Sequence, residues 1–100
     1  MARVENAEVK ARLLEMRTRF AEQFEVVKRG KERIFKRSDG VYFKVSALYY
    51  WNALVIEYSE NEKMARAGIL GEDGDLFYPE DMDADEMFEA MLHEVKDAYN

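Results

Sequence analysis

The sequence predicts one α+β domain, in which an antiparallel sheet of about four strands packs against an N-terminal and a C-terminal helix, with a short helix near residues 60–67. Three observations support this class. Apolar residues recur every three or four positions near both ends of the chain, they alternate in between, and an Asp-Gly pair marks a turn within the alternating region. A length of 100 residues is typical of a single domain, so we assign residues 1–100 to one core.

The first predicted element is a helix of about five turns near the N-terminus. Acidic residues precede arginines by four positions on its polar faces, the order that stabilises a helix. Its apolar stripe consists of Val9, Leu13, Met16, Phe20 and Phe24. Because these positions follow the helical repeat, we expect the stripe to face the core.

Strands are predicted next, because the apolar period changes to two between residues 25 and 45. Ser38-Asp39-Gly40 separates two β-prone segments, and Asp-Gly in that position is a strong signal for a hairpin turn. Arg29-Gly30 gives a weaker form of the same signal. A fourth strand is predicted at about residues 53–58, where both faces are apolar as in a central strand. The result is a meander.

The short helix over residues 60–67 is predicted from its ends. Ser59 and Glu62 match a capping box, and Gly68 suits a left-handed residue at the C-terminal end. A further strand in the same place is the alternative. Residues 69–78 contain glycines and acids, and are predicted to form a loop with a short extended piece near its end.

The last predicted helix has a well-marked start, because Asp83 can serve as the N-cap and Glu86 follows three residues later. It carries an apolar face of its own, which predicts that it packs on the sheet beside the first helix. That face consists of Phe88, Met91, Leu92, Val95 and Tyr99.

The charge is divided unevenly along the chain. Residues 1–50 hold twelve Lys/Arg against seven Asp/Glu, and residues 51–100 hold three against fourteen, which together give the net −6. Such a division is typical of a nucleic-acid-binding half or an acidic tail. It is equally expected of two halves that neutralise each other in the fold, and we slightly prefer this second interpretation.

No catalytic, metal or cofactor site is predicted. The absence of cysteine excludes thiolate nucleophiles, disulfides and zinc–thiolate sites. The single histidine, His93, falls on the polar side of the last helix, where we expect exposure rather than catalysis. Residues 81–85 alternate aspartates as a calcium loop does, but Glu86 and Leu92 stand where that loop requires Gly and Glu. We therefore expect a protein that is not an enzyme.

The leading hypothesis is an interaction domain that binds a protein partner, or itself, through its acidic second half. The candidate partner-binding residues are Glu72, Asp73, Asp75, Asp81, Asp85 and Glu89.

The alternative is a nucleic-acid-binding module, in which a basic hairpin over residues 28–37 meets phosphates. The candidate nucleic-acid-binding residues are Lys28, Arg29, Lys31, Arg33, Lys36 and Arg37. A third hypothesis, with the least support, is small-molecule binding in a cleft lined by aromatic side chains. They are Tyr49, Tyr50 and Trp51.

A cytoplasmic location without membrane association is expected from the sequence. The first residues are charged and lack the apolar region of a secretory signal. The longest apolar run, residues 47–55, is broken by Asn52 and is too short to cross a bilayer. The lack of cysteine is compatible with a reducing compartment.

Overall fold

Helices flank the strands along the chain, and the strands form one antiparallel sheet. The structure is a computed structural model that describes residues 6–29 and 33–100. Its elements, in chain order, are α1 (Asn6–Ala21), β1 (Glu25–Lys28), β2 (Ile34–Lys36), β3 (Tyr42–Leu48), a 3₁₀ turn (Tyr49–Trp51), β4 (Ala53–Ser59), α2 (Glu62–Arg66), β5 (Glu72–Phe77) and α3 (Ala84–Asp97). The predicted α+β class is confirmed.

Within the described residues the sheet has five strands in the order β1-β2-β3-β4-β5, so every strand pairs with its neighbour in sequence. The predicted meander is confirmed. The prediction of a loop over residues 69–78 is wrong for most of that segment, because β5 pairs antiparallel with β4. An edge strand whose side chains are mostly solvated needs little apolar alternation, and Gly74 and the acids of β5 concealed it in the sequence.

The turn between β2 and β3 is the one that Asp39-Gly40 predicted. Gly40 has a φ of +90°, a backbone conformation that favours glycine. The backbone amide of Arg37 donates to the Val41 carbonyl at 2.8 Å, and the hairpin closes there. The other predicted turn includes Gly30, which lies outside the described residues, as does Lys31 of the predicted basic hairpin.

The main core lies between the sheet and the pair of helices α1 and α3, as predicted. The stripe of α1 is buried from Val9 to Phe20. Phe24 lies beyond the end of α1, where its ring packs edge-on against Phe43 at 5.1 Å. Phe20 contacts both Phe43 and Phe88, at 5.4 and 5.0 Å between ring centroids, so aromatic rings join α1, the sheet and α3.

A smaller apolar cluster lies on the opposite face of the sheet. It contains Ile34, Tyr42, Ala65 and Leu70, so α2 covers that face where β2 and β3 meet. The predicted short helix is confirmed.

The start of α2 differs from the prediction. The side chain of Asn61, and not that of Ser59, accepts a hydrogen bond from the Met64 amide, at 2.9 Å. Ser59 accepts from the amide of Asn61 instead, so the predicted capping box does not form and α2 starts at Glu62.

Both ends of α3 are fixed by side chains. The capping box predicted for Asp83 and Glu86 is present, with hydrogen bonds of 2.8 and 3.0 Å. At the other end, the Arg37 guanidinium donates to the carbonyls of Val95 and Ala98 at 2.5 and 2.8 Å. Because the last carbonyls of a helix lack partners within it, Arg37 satisfies groups that burial would otherwise leave unpaired.

Candidate functional site

A groove of about 590 Å³ runs between the edge strand β5 and the helix α3. Its lining residues are Asp75, Phe77, Glu89, Ala90, His93, Glu94, Asp97 and Ala98. We call it the acidic groove, because the described residues that line it include four carboxylates and no lysine or arginine. A second depression continues it along β5 past Glu72, Asp73 and Gly74. Acids from two separate elements of the second half of the chain therefore share one surface.

The Glu94 side chain connects the elements that form the acidic groove. One of its carboxylate oxygens accepts from the Tyr58 hydroxyl at 2.5 Å, and the other accepts from the backbone amide of Asp75 at 2.9 Å. A single side chain thus links β4, β5 and α3. Burial and the neighbouring Glu94 carboxylate raise the pKa of Tyr58 above its usual value, so Tyr58 keeps its proton and remains a donor.

Gly74 makes room for the Glu94 carboxylate. A Cβ atom at position 74 would clash with the end of the Glu94 side chain, so any other residue there would displace this carboxylate from its present position.

Tyr99 lines the continuation of the groove beyond Gly74, and its hydroxyl donates to the Glu72 carboxylate. Burial and this carboxylate raise the pKa of Tyr99 to about 12. The prediction that Tyr99 belongs to the apolar face of the last helix is wrong. It lies past the C-cap residue Ala98 with a φ of 65° and is exposed.

The six predicted partner-binding acids separate into two groups. Glu72, Asp73, Asp75 and Glu89 line the acidic groove or its continuation. Asp81 and Asp85 lie before and at the start of α3, outside the lining, and Asp85 forms an ion pair with Arg19 of α1 at 2.8 Å.

Sequence reasoning missed Glu94 and Asp97 as members of the groove. The signal for Asp97 was the spacing of four residues along α3, which places Glu89, His93 and Asp97 on one strip, whereas Glu94 falls on the neighbouring strip with Ala90 and Ala98.

The basic and acidic halves of the chain meet between α1 and α3. Besides the Arg19–Asp85 pair, Arg12 donates to the Met82 carbonyl at 2.9 Å. The hydrogen bond to Asp85 raises the pKa of Arg19 above its usual value. At this contact a basic residue of the first half and an acidic residue of the second half therefore pair with each other within the fold.

The described members of the predicted nucleic-acid-binding set do not all lie on one exposed surface. Arg37 is only 8% exposed, because it caps α3 and pairs with Asp39 at 2.5 Å. It is therefore held inside the fold. Among the other described members of this set, Arg29 is exposed and three are half-buried, namely Lys28, Arg33 and Lys36. The pairing of β1 with β2 places Lys28 opposite Ile34 and Lys36 opposite Glu25, so the two lysines lie at different ends of the pair.

The three aromatic residues predicted to line a cleft lie instead in the 3₁₀ turn between β3 and β4. Tyr50 is 87% exposed and Trp51 is 62% exposed, with their rings edge-to-face at 5.3 Å. Asn52 ends the turn in the left-handed conformation, which asparagine tolerates better than most residues. We call Tyr49, Tyr50 and Trp51 the aromatic tip. Tyr50 and Trp51 project from the surface, whereas Tyr49 lines the groove described next.

Another groove, of about 490 Å³, lies beside the aromatic tip, between α1 and the end of β3. Its lining residues are Lys10, Leu13, Leu14, Arg17, Ser46, Ala47 and Tyr49. We call it the tip groove. The described residues that line it include two cations and no acid, and Arg17 is fixed there by hydrogen bonds to the Val45 carbonyl at 3.1 and 3.3 Å.

A polar cluster lies on the sheet face opposite α1 and α3. Ser46 donates to Glu57 at 2.6 Å, and the Lys44 ammonium lies 3.8 Å from the same carboxylate oxygen. Glu57 is half-buried on a strand with neighbours on both sides. The register of β3 and β4 places Glu57 opposite Lys44. This cluster stabilises strand pairing.

Neither a metal site nor a membrane span is found in the described part of the chain. Within residues 6–29 and 33–100, no three His, Asp or Glu side chains come together in a way that holds a metal ion. No helix there is both long enough and apolar enough to cross a bilayer. Comparison with known proteins found no matching family, no matching curated protein and no matching solved structure.

Proposed function

We propose that this protein is a non-enzymatic interaction domain that binds a basic segment of a protein partner in the acidic groove. The observation that carries the proposal is the convergence of carboxylates from β5 and α3 around one groove. A cytoplasmic location is part of the proposal, on the grounds of a sequence without cysteine.

Electrostatics favours a basic occupant. Asp75, Glu89 and Asp97 carry like charges along one concave surface, where a cleft concentrates the negative potential. Lysine or arginine side chains relieve this repulsion when they enter. Because the groove is open to solvent, we expect the attraction to speed association and to weaken as salt is added.

The floor of the acidic groove adds a second requirement. It contains Phe77, Ala90 and Ala98 beneath the acidic rim. The two alanines are small and leave room for a bulky side chain of the partner, which can pack against the Phe77 ring. A segment in which basic residues alternate with aromatic ones therefore fits both the rim and the floor.

Partner binding through side chains is favoured over addition of a strand to β5. The outward amide of Asp75 already donates to Glu94, so the edge is occupied at that point. The charges of Asp73 and Asp75 also discourage pairing with the edge strand of another copy. The groove and not the strand edge is the surface that we propose for binding.

Titration of a labelled short peptide of alternating Lys, Arg and Phe, followed by fluorescence anisotropy, tests the proposal. The variant D75N/E89Q/D97N removes three charges from the groove, and we expect it to weaken binding at least about tenfold, or about 1.4 kcal/mol. The control variant E22Q/E25Q/E80Q removes three exposed charges outside the groove. Equal weakening by both variants would mean that the peptide responds to net charge alone and would contradict the proposal.

The alternative function, nucleic-acid binding by the basic hairpin, has less support because Arg37 is committed to α3. The other described cations of the basic hairpin are Lys28, Arg29, Arg33 and Lys36. A labelled DNA duplex in the same titration tests it. Binding that weakens linearly in the logarithm of salt, and that the variant R29E/R33E/K36E abolishes, would favour this function instead.

A further inference from the structure

We propose that the acidic groove binds a second copy of this chain, which inserts its aromatic tip, so that copies associate head to tail. This inference rests on the proposed function of the acidic groove, and it names the partner. The argument uses the exposure of the tip, its rigidity and the charges beside each surface.

The aromatic tip has the character of a binding anchor. Tyr50 and Trp51 are largely exposed, and Leu14 of the adjoining tip groove is 52% exposed. Contiguous apolar surface of this kind is uncommon on proteins that act alone, and it marks interaction sites. Tyrosine and tryptophan are also the residues that contribute most to binding when they enter a pocket.

The tip is held in a fixed position by the strands behind it. The pairing of β3 with β4 continues from Tyr42 opposite Ser59 to Leu48 opposite Ala53, directly at the turn. The amide of Asn52 donates to the Tyr49 carbonyl at 3.2 Å and closes the turn. Because strand pairing already fixes the backbone that carries the rings, little backbone conformational entropy is lost when they are bound.

Charge complementarity selects the acidic groove as the surface that receives the tip. Lys10 and Arg17 line the tip groove, and carboxylates such as Glu89 and Asp97 line the acidic groove. A basic segment with aromatic side chains is the ligand inferred above for the acidic groove, and the tip with its flanking cations has that chemistry. Contact between the two brings together opposite charges and places an aromatic ring over the apolar floor.

The same charges disfavour the symmetric arrangements. Two tips facing each other would juxtapose their cations, and two acidic grooves would juxtapose their carboxylates. The lining residues of the two grooves do not overlap, so one copy can use both surfaces at once. The contact is therefore between different surfaces of the two copies, a geometry that builds a ring or an open chain.

Sedimentation velocity of the purified protein over a range of concentrations at low salt is the first test. We expect the average mass to rise with concentration and to fall when salt is added. Trp51 is the only tryptophan in the sequence, so its emission should shift to shorter wavelength as copies associate and the ring leaves water.

Complementation of two disabled variants is the second test. Y50S/W51S removes the tip anchors, and D75N/E89Q/D97N removes the groove charges. We expect each variant alone to stay monomeric, and an equimolar mixture to form a dimer and nothing larger, since one intact tip then meets one intact groove. The control M64S/I69S removes two exposed apolar side chains near α2 and should associate as the unmodified chain does. Thermal unfolding followed by circular dichroism shows whether each variant folds.

The outcomes separate this inference from the proposed function. A chain that stays monomeric at every concentration, yet binds the basic peptide in the acidic groove, would overturn the inference and leave the proposed function standing. Association that the tip variant abolishes and the groove variant leaves intact would overturn the assignment of the groove as the receiving surface. Association that survives in both variants would overturn the inference altogether.

Discussion

The two faces of the sheet differ in what covers them. On one face, α1 and α3 bury a continuous apolar core with aromatic rings at its centre. On the other, α2 covers only a small cluster, and the ion pair of Lys44 with Glu57 lies on that side. Adjacent residues of β3 show the contrast, because Phe43 packs in the main core and Lys44 points the opposite way. We therefore expect most of the stability to come from the face that α1 and α3 cover, which we call the helix-covered face. The rest of the surface is left to carry binding sites.

The largest expected effect comes from the centre of the helix-covered face. Phe43 contacts the rings of Phe20, Phe24 and Phe35 at 5.1 to 5.4 Å between centroids. We expect F43A to lower the free energy of unfolding by about 3–5 kcal/mol, as the buried ring is lost and a cavity remains. Urea denaturation measures the change. Y50A removes an exposed ring from the aromatic tip as its control, and a comparable loss there would show that the contrast between core and surface is wrong.

A smaller effect is expected where the sheet meets the end of α3. R37M removes the donors to the Val95 and Ala98 carbonyls, and we expect a loss of about 1–3 kcal/mol because these groups lose their partners. The same denaturation experiment measures it. R33M, on the half-buried Arg33, should cost much less, and hydrogen exchange should show added fraying of α3 in R37M alone. Equal costs for the two variants would contradict a capping role.

The smallest effect is expected on the opposite face. E57Q keeps the acceptor for Ser46 and removes the charge beside Lys44, so we expect a loss of about 0.5–1 kcal/mol. Comparison with E80Q, which alters an exposed acid, isolates the contribution of the cluster. A cost as large as that of F43A would mean that the polar face contributes as much stability as the aromatic core.

The elements with strong local signals were predictable from the sequence. The stripe of α1, the turn at Asp39-Gly40 and the capping box of Asp83 are each set by residues close together in the chain, and the structure confirms them. The strand β5 was missed, because an edge strand obtains its structure from backbone pairing with β4 and not from its own apolar pattern.

The candidate site was predictable only in part, and for a related reason. Acids on β5 and α3 were recognised, but their meeting in one groove depends on Gly74 and Glu94, which are 20 residues apart. The buried state of Arg37 was equally invisible, because an arginine in a basic run is ordinarily solvated and its carbonyl partners lie 58 and 61 residues away. Tertiary contacts of this length leave no local pattern.

The order of the strands has a consequence for how the protein acquires its structure during synthesis. Each strand pairs with the strand before it in the chain, so the sheet can form one hairpin at a time. Contacts between residues close in sequence favour fast folding. The helix α3 follows the whole sheet in sequence, yet it covers the aromatic centre and receives Arg37. Until α3 has been synthesised, only α1 covers the apolar face of the sheet, and the part that α3 later buries is exposed surface of the kind that favours misassociation.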